Sequence, residues 1–216
     1  MTSDTPKNKE IYLIDGSGYI FRAYYALAYS NRPAMTNPEG TPVGAVYGFT
    51  SMILKLLKEH SHASIVVVFD AARKNFRYDI YPEYKANRGE TPEDLIPQFP
   101  LVRDAAIAFG LPAIELEGYE ADDLIATYAN QAIEKGCNIT IVSSDKDLMQ
   151  LVNDNVKMLD PMKDKYINRD EVIEKFGVPP EQVIDVQALA GDSTDNIPGV
   201  PGIGVKTAAQ LILEYG

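Results

Sequence analysis

Short β-branched or apolar runs alternate along the chain with longer segments in which apolar residues recur every three or four positions. The short runs are residues 11–14, 64–69, 113–116 and 139–142. Helical spacing is found in residues 19–28, 43–60, 99–109 and 120–135. Strands that alternate with helices over about 160 residues favour a mostly parallel sheet with helices on both faces. The pattern therefore predicts an α/β fold.

The end of the chain has a different pattern. Residues 156–159 and 165–167 are predicted to form a short hairpin, and Asn168 is predicted to cap a helix that reaches Phe176. A further helix is predicted to open at Pro179 and Pro180 and to end near residue 190, and a glycine-rich loop separates it from a final helix. We expect a core of residues 1–178 followed by a helix–loop–helix region, residues 179–216.

Acidic residues follow the predicted strands. Three strand runs lead into an acid, the last of them through two serines. One more acid lies two residues beyond that last acid, and three more open the helix that follows the fourth strand. Because the carboxyl ends of parallel strands meet at one edge of a sheet, we expect these side chains to lie close together. They are Asp15, Asp70, Asp145, Asp147, Glu120, Asp122 and Asp123.

So many carboxylates at one edge repel one another and oppose folding unless cations neutralise them. Oxygen ligands favour a hard ion such as Mg²⁺ or Mn²⁺ over Zn²⁺. Two such cations are suited to in-line phosphoryl displacement, which makes phosphodiester hydrolysis the natural chemistry. For any single acid, a turn or helix-cap role after a strand is the simpler interpretation. The repetition of the placement favours the metal cluster.

A basic and aromatic segment interrupts this acidic protein between residues 71 and 98. Prolines and glycine break any long helix here. Cations interleaved with aromatic rings suit a single-stranded nucleic acid, because phosphates pair with the cations and bases stack on the rings. The cations are Arg73, Lys74, Arg77, Lys85 and Arg88, and the aromatic residues are Phe76, Tyr78, Tyr81 and Tyr84.

The glycine-rich loop from Gly191 to Gly204 ends at Val205-Lys206-Thr207, which begins the final helix. A glycine loop at a helix N-terminus exposes backbone N–H groups to an anion, and Lys206 adds a positive charge. The loop could instead be a helix C-cap followed by a proline-stiffened turn. Gly16-Ser17-Gly18 does not begin a dinucleotide fingerprint, because the third glycine is missing and an aspartate precedes it.

The formal net charge of −11 argues by itself against binding of nucleic acid. Seven of the 31 acidic residues are, however, already assigned to the metal cluster, so the distribution of charge matters more than the sum. Cys137 is the single cysteine and cannot form an internal disulfide. Residues 1–10 lack the apolar core of a signal peptide, and we expect a cytoplasmic protein without a membrane partner.

Seven blocks occur in order between residues 11 and 216: LIDGSGYIFRAYYAL, TPVGAVYGF, VVVFDA, YKANR, GYEADDLIAT, SSDKDLMQLV and GDSTDNIPGVPGIGVKTA. In these blocks the chain resembles the 5′ nuclease family of bacterial DNA polymerase I, whose relatives include flap endonucleases. The resemblance implies a PIN-like 5′ nuclease fold with a helical arch at about residues 72–98 and a C-terminal helix-three-turn-helix. It also implies that residues 1–178 are the catalytic core and that the helix-three-turn-helix, residues 179–216, is truncated at its C-terminus.

The resemblance further implies two divalent cations, Mg²⁺ or Mn²⁺. It implies one site formed by Asp15, Asp70, Glu120 and Asp122, a second formed by Asp145, Asp147 and Asp192, and two neighbouring acids, Asp123 and Asp195. Lys85 and Arg88 would act on the scissile phosphate together with the metal-binding Asp15, Asp70 and Asp145. A K⁺ ion would bind at the helix-three-turn-helix. The residues expected to contact DNA are Arg22, Lys74, Arg77, Tyr84, Lys85, Arg88, Ser193, Gly199, Gly202, Gly204, Lys206 and Thr207.

The expected function is that of a structure-specific 5′ nuclease acting on DNA flaps, nicks or ends in replication and repair, in a monomeric, nucleoid-associated bacterial protein that can carry a polymerase domain. Gly89-Glu90 and Val205 depart from the family pattern. Three other functions fit part of the pattern. They are a DNA-binding module without catalysis, a receiver-like signalling domain, and a small-molecule phosphatase.

Overall fold

Residues 9–28 and 35–216 are described by the computed structural model, and the polar residues 1–8 lie outside it. Six strands form the central sheet: β1 (Glu10–Asp15), β2 (Ser64–Val68), β3 (Ala113–Ile114), β4 (Asn138–Val142), β5 (Val156–Asp160) and β6 (Lys165–Ile167). Their order is β3-β2-β1-β4-β5-β6, and β6 alone is antiparallel to its neighbour. The predicted mostly parallel sheet and the predicted hairpin of β5 and β6 are therefore confirmed.

The described part of the chain contains eight helices around the sheet: α1 (Gly16–Ala28), α2 (Gly44–Glu59), α3 (Arg77–Ile80), α4 (Gln98–Ala108), α5 (Ala121–Glu134), α6 (Arg169–Phe176), α7 (Val183–Ala190) and α8 (Val205–Tyr215). Tyr12 and Ile14 face a core built with α1, α2 and α4, whereas Leu13 faces a core built with α5 to α8. Because both faces are covered, the inner strands β1, β2 and β4 are mostly apolar, as the sequence indicated.

The strand register brings the carboxyl ends of β1, β2 and β4 level. Asp15 lies opposite Val68 of β2, and Ile14 lies opposite Val142 of β4. Residues that follow Val68 and Val142 therefore emerge beside Asp15, at one edge of the sheet.

Local structure changes the bounds of two predicted helices. α1 begins at Gly16 rather than at residue 19, because the Gly18 N–H donates to Asp15 Oδ1 at 2.7 Å and closes the first turn. The helix predicted from Pro179 begins with a 3₁₀ turn at residues 180–182 before α7, and a similar 3₁₀ turn follows Asp145, from Asp147 to Leu151. In the latter turn, Asp145 Oδ1 accepts from the Asp147 N–H, which competes with regular helix formation.

The arch segment, residues 72–98, is less helical than the resemblance implies. It contains the four-residue helix α3 and then a series of turns before α4 begins at Gln98. Pro82, Gly89 and Pro92 interrupt it, since proline lacks a backbone donor. The segment is folded against the acidic edge of the sheet.

A small antiparallel pair, β7 (Gly191–Asp192) and β8 (Ile197–Pro198), lies between α7 and α8. Glycine is required where its two ends approach each other. A Cβ at Gly199 would lie 2.3 Å from the backbone carbon of Ala190, and Gly191 has a φ of +73°. Over the described residues, no helix combines the length and the apolar character that crossing a membrane requires.

Candidate active site

Asp15 lies at the centre of the acidic edge and is almost fully buried. Its Oδ1 accepts from the Gly18 N–H at 2.7 Å, and its Oδ2 accepts from the Ser143 hydroxyl at 2.9 Å. Burial raises the pKa of Asp15 to about 6, and the nearby carboxylates of Asp70 and Asp145 act in the same direction. A buried aspartate held close to other acids is poised to bind a cation.

Asp70 follows β2 and is fixed from three sides. Its N–H donates to Ser17 Oγ at 3.0 Å, its Oδ1 accepts from the N–H of Ala121 at 2.7 Å, and its carbonyl accepts from Arg103 Nη2 at 2.8 Å. These bonds tie the end of β2 to the starts of α1 and α5 and to α4. The carboxylate of Asp70 is therefore held at the acidic edge by the fold itself.

Asp122, Asp145 and Asp147 complete the centre of the edge. Burial raises the pKa of Asp122 well above its ordinary value, and the charges of Asp15, Asp145, Asp70 and Glu120 raise it further. The pKa of Asp147 is raised by burial and by Asp145, although Gln187 donates a hydrogen bond to its carboxylate. Asp145 thus raises the pKa of an acid in each predicted metal site, Asp122 in the first and Asp147 in the second.

Glu120 is the N-cap residue of α5 and is contacted by several residues of the arch segment. Its Oε1 accepts from Asn75 Nδ2 at 2.8 Å and from Lys85 Nζ at 2.6 Å. Its Oε2 accepts from the Tyr84 hydroxyl at 2.9 Å and lies 3.7 Å from Arg77 Nη1. Glu120 is the point at which the arch segment meets the acidic edge.

Three more predicted acids are bound to cations of the chain. Arg77 donates to both oxygens of Asp123, at 2.8 and 2.7 Å, and lowers the pKa of that carboxylate despite partial burial. Lys146 Nζ donates to Asp192 Oδ2 at 2.6 Å, and the pKa of Asp192 is lowered in spite of desolvation. Asp195 is ion-paired with Arg88 and lies 3.7 Å from Lys85.

The arch segment is also docked on the loop between β7 and β8 by neutral groups. The Lys85 N–H donates to the Asp195 carbonyl at 2.9 Å. Asn87 Nδ2 donates to the Ser193 carbonyl at 2.6 Å, and Asn196 Nδ2 donates to the Glu83 carbonyl at 2.7 Å. Lys85 adopts a φ of +55°, which is uncommon for a residue with a side chain. The segment therefore covers the acidic edge.

The acidic set suits a hard divalent cation, because its donors are carboxylate oxygens and its central members repel one another without a cation among them. In residues 9–28 and 35–216, no three Asp, Glu, His or Cys side chains are already arranged around a single ion position. Glu120, Asp192 and Asp195 are turned toward lysine and arginine of the chain.

Comparison with known proteins identifies the family. Residues 10–177 match the N-terminal resolvase-like domain of 5′-3′ exonucleases, and residues 178–216 match their C-terminal SAM fold. The chain belongs to the 5′-3′ exonuclease family.

Two relatives and one solved structure illustrate the match. The DNA polymerase I of Rhizobium leguminosarum is 56% identical over 97% of this chain, which covers 21% of that protein. A 5′-3′ exonuclease of Aquifex aeolicus is 42% identical over 96% of this chain and 70% of its own length. A bacteriophage T5 flap endonuclease, solved as a pseudo-enzyme-product complex with DNA and metal ions, is 26% identical over 96% of this chain and 76% of its own, with a TM-score of 0.76. The PIN-like 5′ nuclease fold is thereby confirmed.

In this family member, the residues expected to contact DNA fall into two groups. Lys206 and Thr207 are exposed in the first turn of α8, next to Gly204, and Gly202 and Ser193 are also exposed. Gly199 instead packs against the backbone of residue 190. The side chains of the second group donate hydrogen bonds to acidic residues of the chain. They are Arg77, Tyr84, Lys85 and Arg88.

The remaining two expected DNA contacts lie apart from these groups. Lys74 is exposed at the start of the arch segment. Arg22 is half-buried, and its Nη1 has no hydrogen-bond partner among the described residues. Contact of either residue with DNA stays a prediction.

Sequence reasoning missed the polar residues that hold the acids in place. They are uncharged or distant in sequence, and they act through hydrogen bonds across the fold. Their position beside an acidic motif in the chain was a signal for three of them, Ser17, Ser143 and Lys146, but not for the others. These residues are Ser17, Asn75, Arg103, Ser143, Lys146 and Gln187.

Proposed function

We propose that this chain is a structure-specific 5′ nuclease that hydrolyses phosphodiester bonds in DNA with the help of divalent cations. The observation that carries the proposal is the convergence of Asp15, Asp70, Asp122 and Asp145 at one edge, with burial and mutual repulsion raising the pKa of Asp15 and Asp122. Membership of the exonuclease family supports it, as does the likeness to a T5 flap endonuclease solved with DNA and metal ions.

Asp15, Asp70, Glu120 and Asp122 would hold one cation, and Asp145, Asp147 and Asp192 a second, with Asp123 and Asp195 nearby. Two bound divalent cations, Mg²⁺ or Mn²⁺, would supply activation of the attacking water and stabilisation of the leaving 3′ oxygen. The chain orients them through fixed carboxylates, since Asp15 and Asp70 each accept hydrogen bonds from backbone N–H groups at 2.7 Å.

Lys85 and Arg88 are the residues proposed to act on the scissile phosphate. Lys85 Nζ lies 2.6 Å from Glu120, so it is already at the acidic edge. On DNA entry, Lys85 would turn from Glu120, and Arg88 from Asp195, toward the phosphate. Phosphate oxygens can replace these internal acids, because they are equally good partners for Lys and Arg.

The exposed start of α8 is proposed to grip the duplex backbone. The backbone groups around Gly202 and Gly204 and the Lys206 ammonium would face phosphates, and the helix N-terminus favours an anion there. We treat residues 179–216 as this DNA-binding region and residues 1–178 as the catalytic core. A K⁺ ion at the loop, a monomeric state, a preference for flaps, nicks or ends, and a polymerase domain in the full-length protein belong to the same proposal.

The test is cleavage of a 5′-labelled flap duplex in Mg²⁺ and in EDTA, beside DNA binding in Ca²⁺. We expect Mg²⁺-dependent product near the branch. Asp145→Asn should abolish cleavage and leave binding within a few-fold. Asp154→Asn is the matched control, because Asp154 is exposed in the turn before β5, at the opposite edge of the sheet. Binding by the unaltered chain without cleavage in Mg²⁺ would favour a non-catalytic DNA-binding module instead.

A further inference from the structure

Asn75 is a buried polar residue at the base of the arch segment. Its relative exposure is 7%, although it lies between the exposed Lys74 and Phe76. It forms an isolated bridge with Gly118, and the N–H of Phe76 donates to the Gly118 carbonyl at 3.1 Å. Asn75 is therefore anchored through the main chain to the loop that leads into Glu120.

Both polar atoms of the Asn75 side chain are used, in opposite directions. Nδ2 donates to Glu120 Oε1 at 2.8 Å. Oδ1 accepts from the Arg77 N–H at 2.9 Å, at the first residue of α3. The Asn75 carboxamide thus connects the start of α3 to the carboxylate of Glu120.

Glu120 has other partners, but they belong to groups that the proposed reaction uses. Lys85 shares Oε1 with Asn75, and in the proposed function its ammonium turns toward the scissile phosphate. Tyr84 also donates to Asp195, and its neighbours are docked on the loop between β7 and β8. When those groups turn to DNA, Glu120 keeps its hydrogen bond with Asn75, because the main chain at Asn75 and Phe76 is bonded to Gly118.

We propose that Asn75 is a positioning residue, which fixes the Glu120 carboxylate for a divalent cation and is not itself a ligand or a catalytic group. The inference rests on the proposed function, since it deepens the role of Glu120 in the first metal site. A neutral donor suits this task, because it orients one carboxylate oxygen and leaves its negative charge available to the cation. Partners that orient a ligand in this way change metal affinity by about 10-fold to 100-fold when they are removed.

Two substitutions separate the two bonds of Asn75. Asn75→Leu has a similar volume and removes both. Asn75→Asp is nearly isosteric and keeps an acceptor for the Arg77 N–H, but it replaces the donor to Glu120 with a carboxylate that repels it. We expect both variants to bind Mg²⁺ about tenfold more weakly in calorimetric titration without DNA. The Mg²⁺ concentration for half-maximal flap cleavage should rise by the same factor, while the rate at saturating Mg²⁺ changes less.

Asn168→Ala is the matched control. Asn168 caps α6 with a capping box and lies away from the acidic edge, so its loss costs about 1 kcal/mol of stability without touching the site. Thermal unfolding in EDTA places the three variants on one stability scale. Mg²⁺ affinity should fall for the Asn75 variants and stay unchanged for Asn168→Ala.

Three results would overturn the inference. Unchanged Mg²⁺ affinity in both Asn75 variants removes the positioning role while leaving the nuclease intact. Weak Mg²⁺ binding in Asn75→Leu with normal binding in Asn75→Asp assigns the effect to the Arg77 bond rather than to Glu120. Absence of both Mg²⁺ binding and cleavage in the unaltered chain contradicts the proposed function, and this inference with it.

Discussion

Two sets of acids share one edge of the sheet, and they differ in what neutralises them. The open acids are Asp15, Asp70, Asp122 and Asp145, for which no ion pair with Lys or Arg is found within the described ranges. The paired acids are Glu120, Asp123, Asp192 and Asp195, which bind Arg77, Lys85, Arg88 and Lys146. The pKa is raised in Asp15 and Asp122 and lowered in Asp123 and Asp192.

The difference follows from where the cations lie in the sequence. The arch segment carries Arg77, Lys85 and Arg88, so the acids that it contacts are compensated by the chain. The open acids lie at the strand ends and in the first turn of α5, where these three cations form no ion pair with them. An external cation is therefore needed most at the open acids, whereas the paired acids keep the arch segment in place until a competing anion arrives.

Two neighbouring residues of α5, one from each set, give the largest expected difference between the open and the paired acids. We expect Asp122→Asn to lower the cleavage rate about 10³-fold, because metal ions supply several kcal/mol of transition-state stabilisation. The same substitution should stabilise the metal-free protein, since it removes a repelled charge. Asp123→Asn should lower the cleavage rate less. It should destabilise the metal-free protein by about 1 kcal/mol, because it weakens the Arg77 ion pair and the helix cap. Single-turnover kinetics and urea unfolding in EDTA measure both, and similar behaviour of the two variants would contradict the division.

The pH dependence of stability tests the open acids directly. The pKa of Asp15 is about 6 in the folded chain against an ordinary 3.8, so the folded state holds the proton more tightly. The free energy of unfolding must then fall as pH rises from about 4 to about 6, by about 3 kcal/mol from this one group. Asp15→Asn should remove that fall. Urea titrations in EDTA at pH 4 and pH 7 check it, and a difference between variant and unaltered chain that does not change with pH would count against the buried, repelled carboxylate.

The paired acids are tested by substituting Lys85, one of the cations that bind them. Lys85→Met removes the charge and keeps much of the side-chain length, and we expect the cleavage rate to fall about 10²-fold, as for loss of one preorganised donor to a developing charge. Lys135→Met is the control, since Lys135 is exposed at the end of α5 that points away from the acidic edge. A normal rate for Lys85→Met at saturating Mg²⁺ would limit Lys85 to holding the arch segment closed.

The smallest effect is expected at Lys206, for which no ion pair with an acid is found in residues 9–28 and 35–216. Lys206 is exposed in the first turn of α8, so Lys206→Ala should weaken binding a few-fold for all DNA sequences and lower the salt slope by about one. Lys58→Ala, at the exposed end of α2, is the control. Fluorescence anisotropy at several salt concentrations measures both, and a change in sequence preference would rule out a contact confined to the backbone.

Strand ends and acids could be predicted from the sequence because both are local. Apolar runs marked β1, β2 and β4, and the acids after them had to meet once the sheet was parallel. The closure of the arch segment could not be predicted, because it depends on pairs such as Lys85 with Glu120 and Arg88 with Asp195, which are 35 and 107 residues apart. The role of Asn75 was hidden for the same reason, since nothing beside it in the chain indicates a partner 45 residues away.

The lengths of the outer strands bear on how the protein behaves at high concentration. The sheet ends in β3, with two residues, and in β6, with three, so each margin offers few unpaired backbone groups to another molecule. Pro112 precedes β3 and Lys165 begins β6, and both residue types discourage the addition of a further strand. A sheet with strongly apolar inner strands is thereby protected against edge-to-edge aggregation.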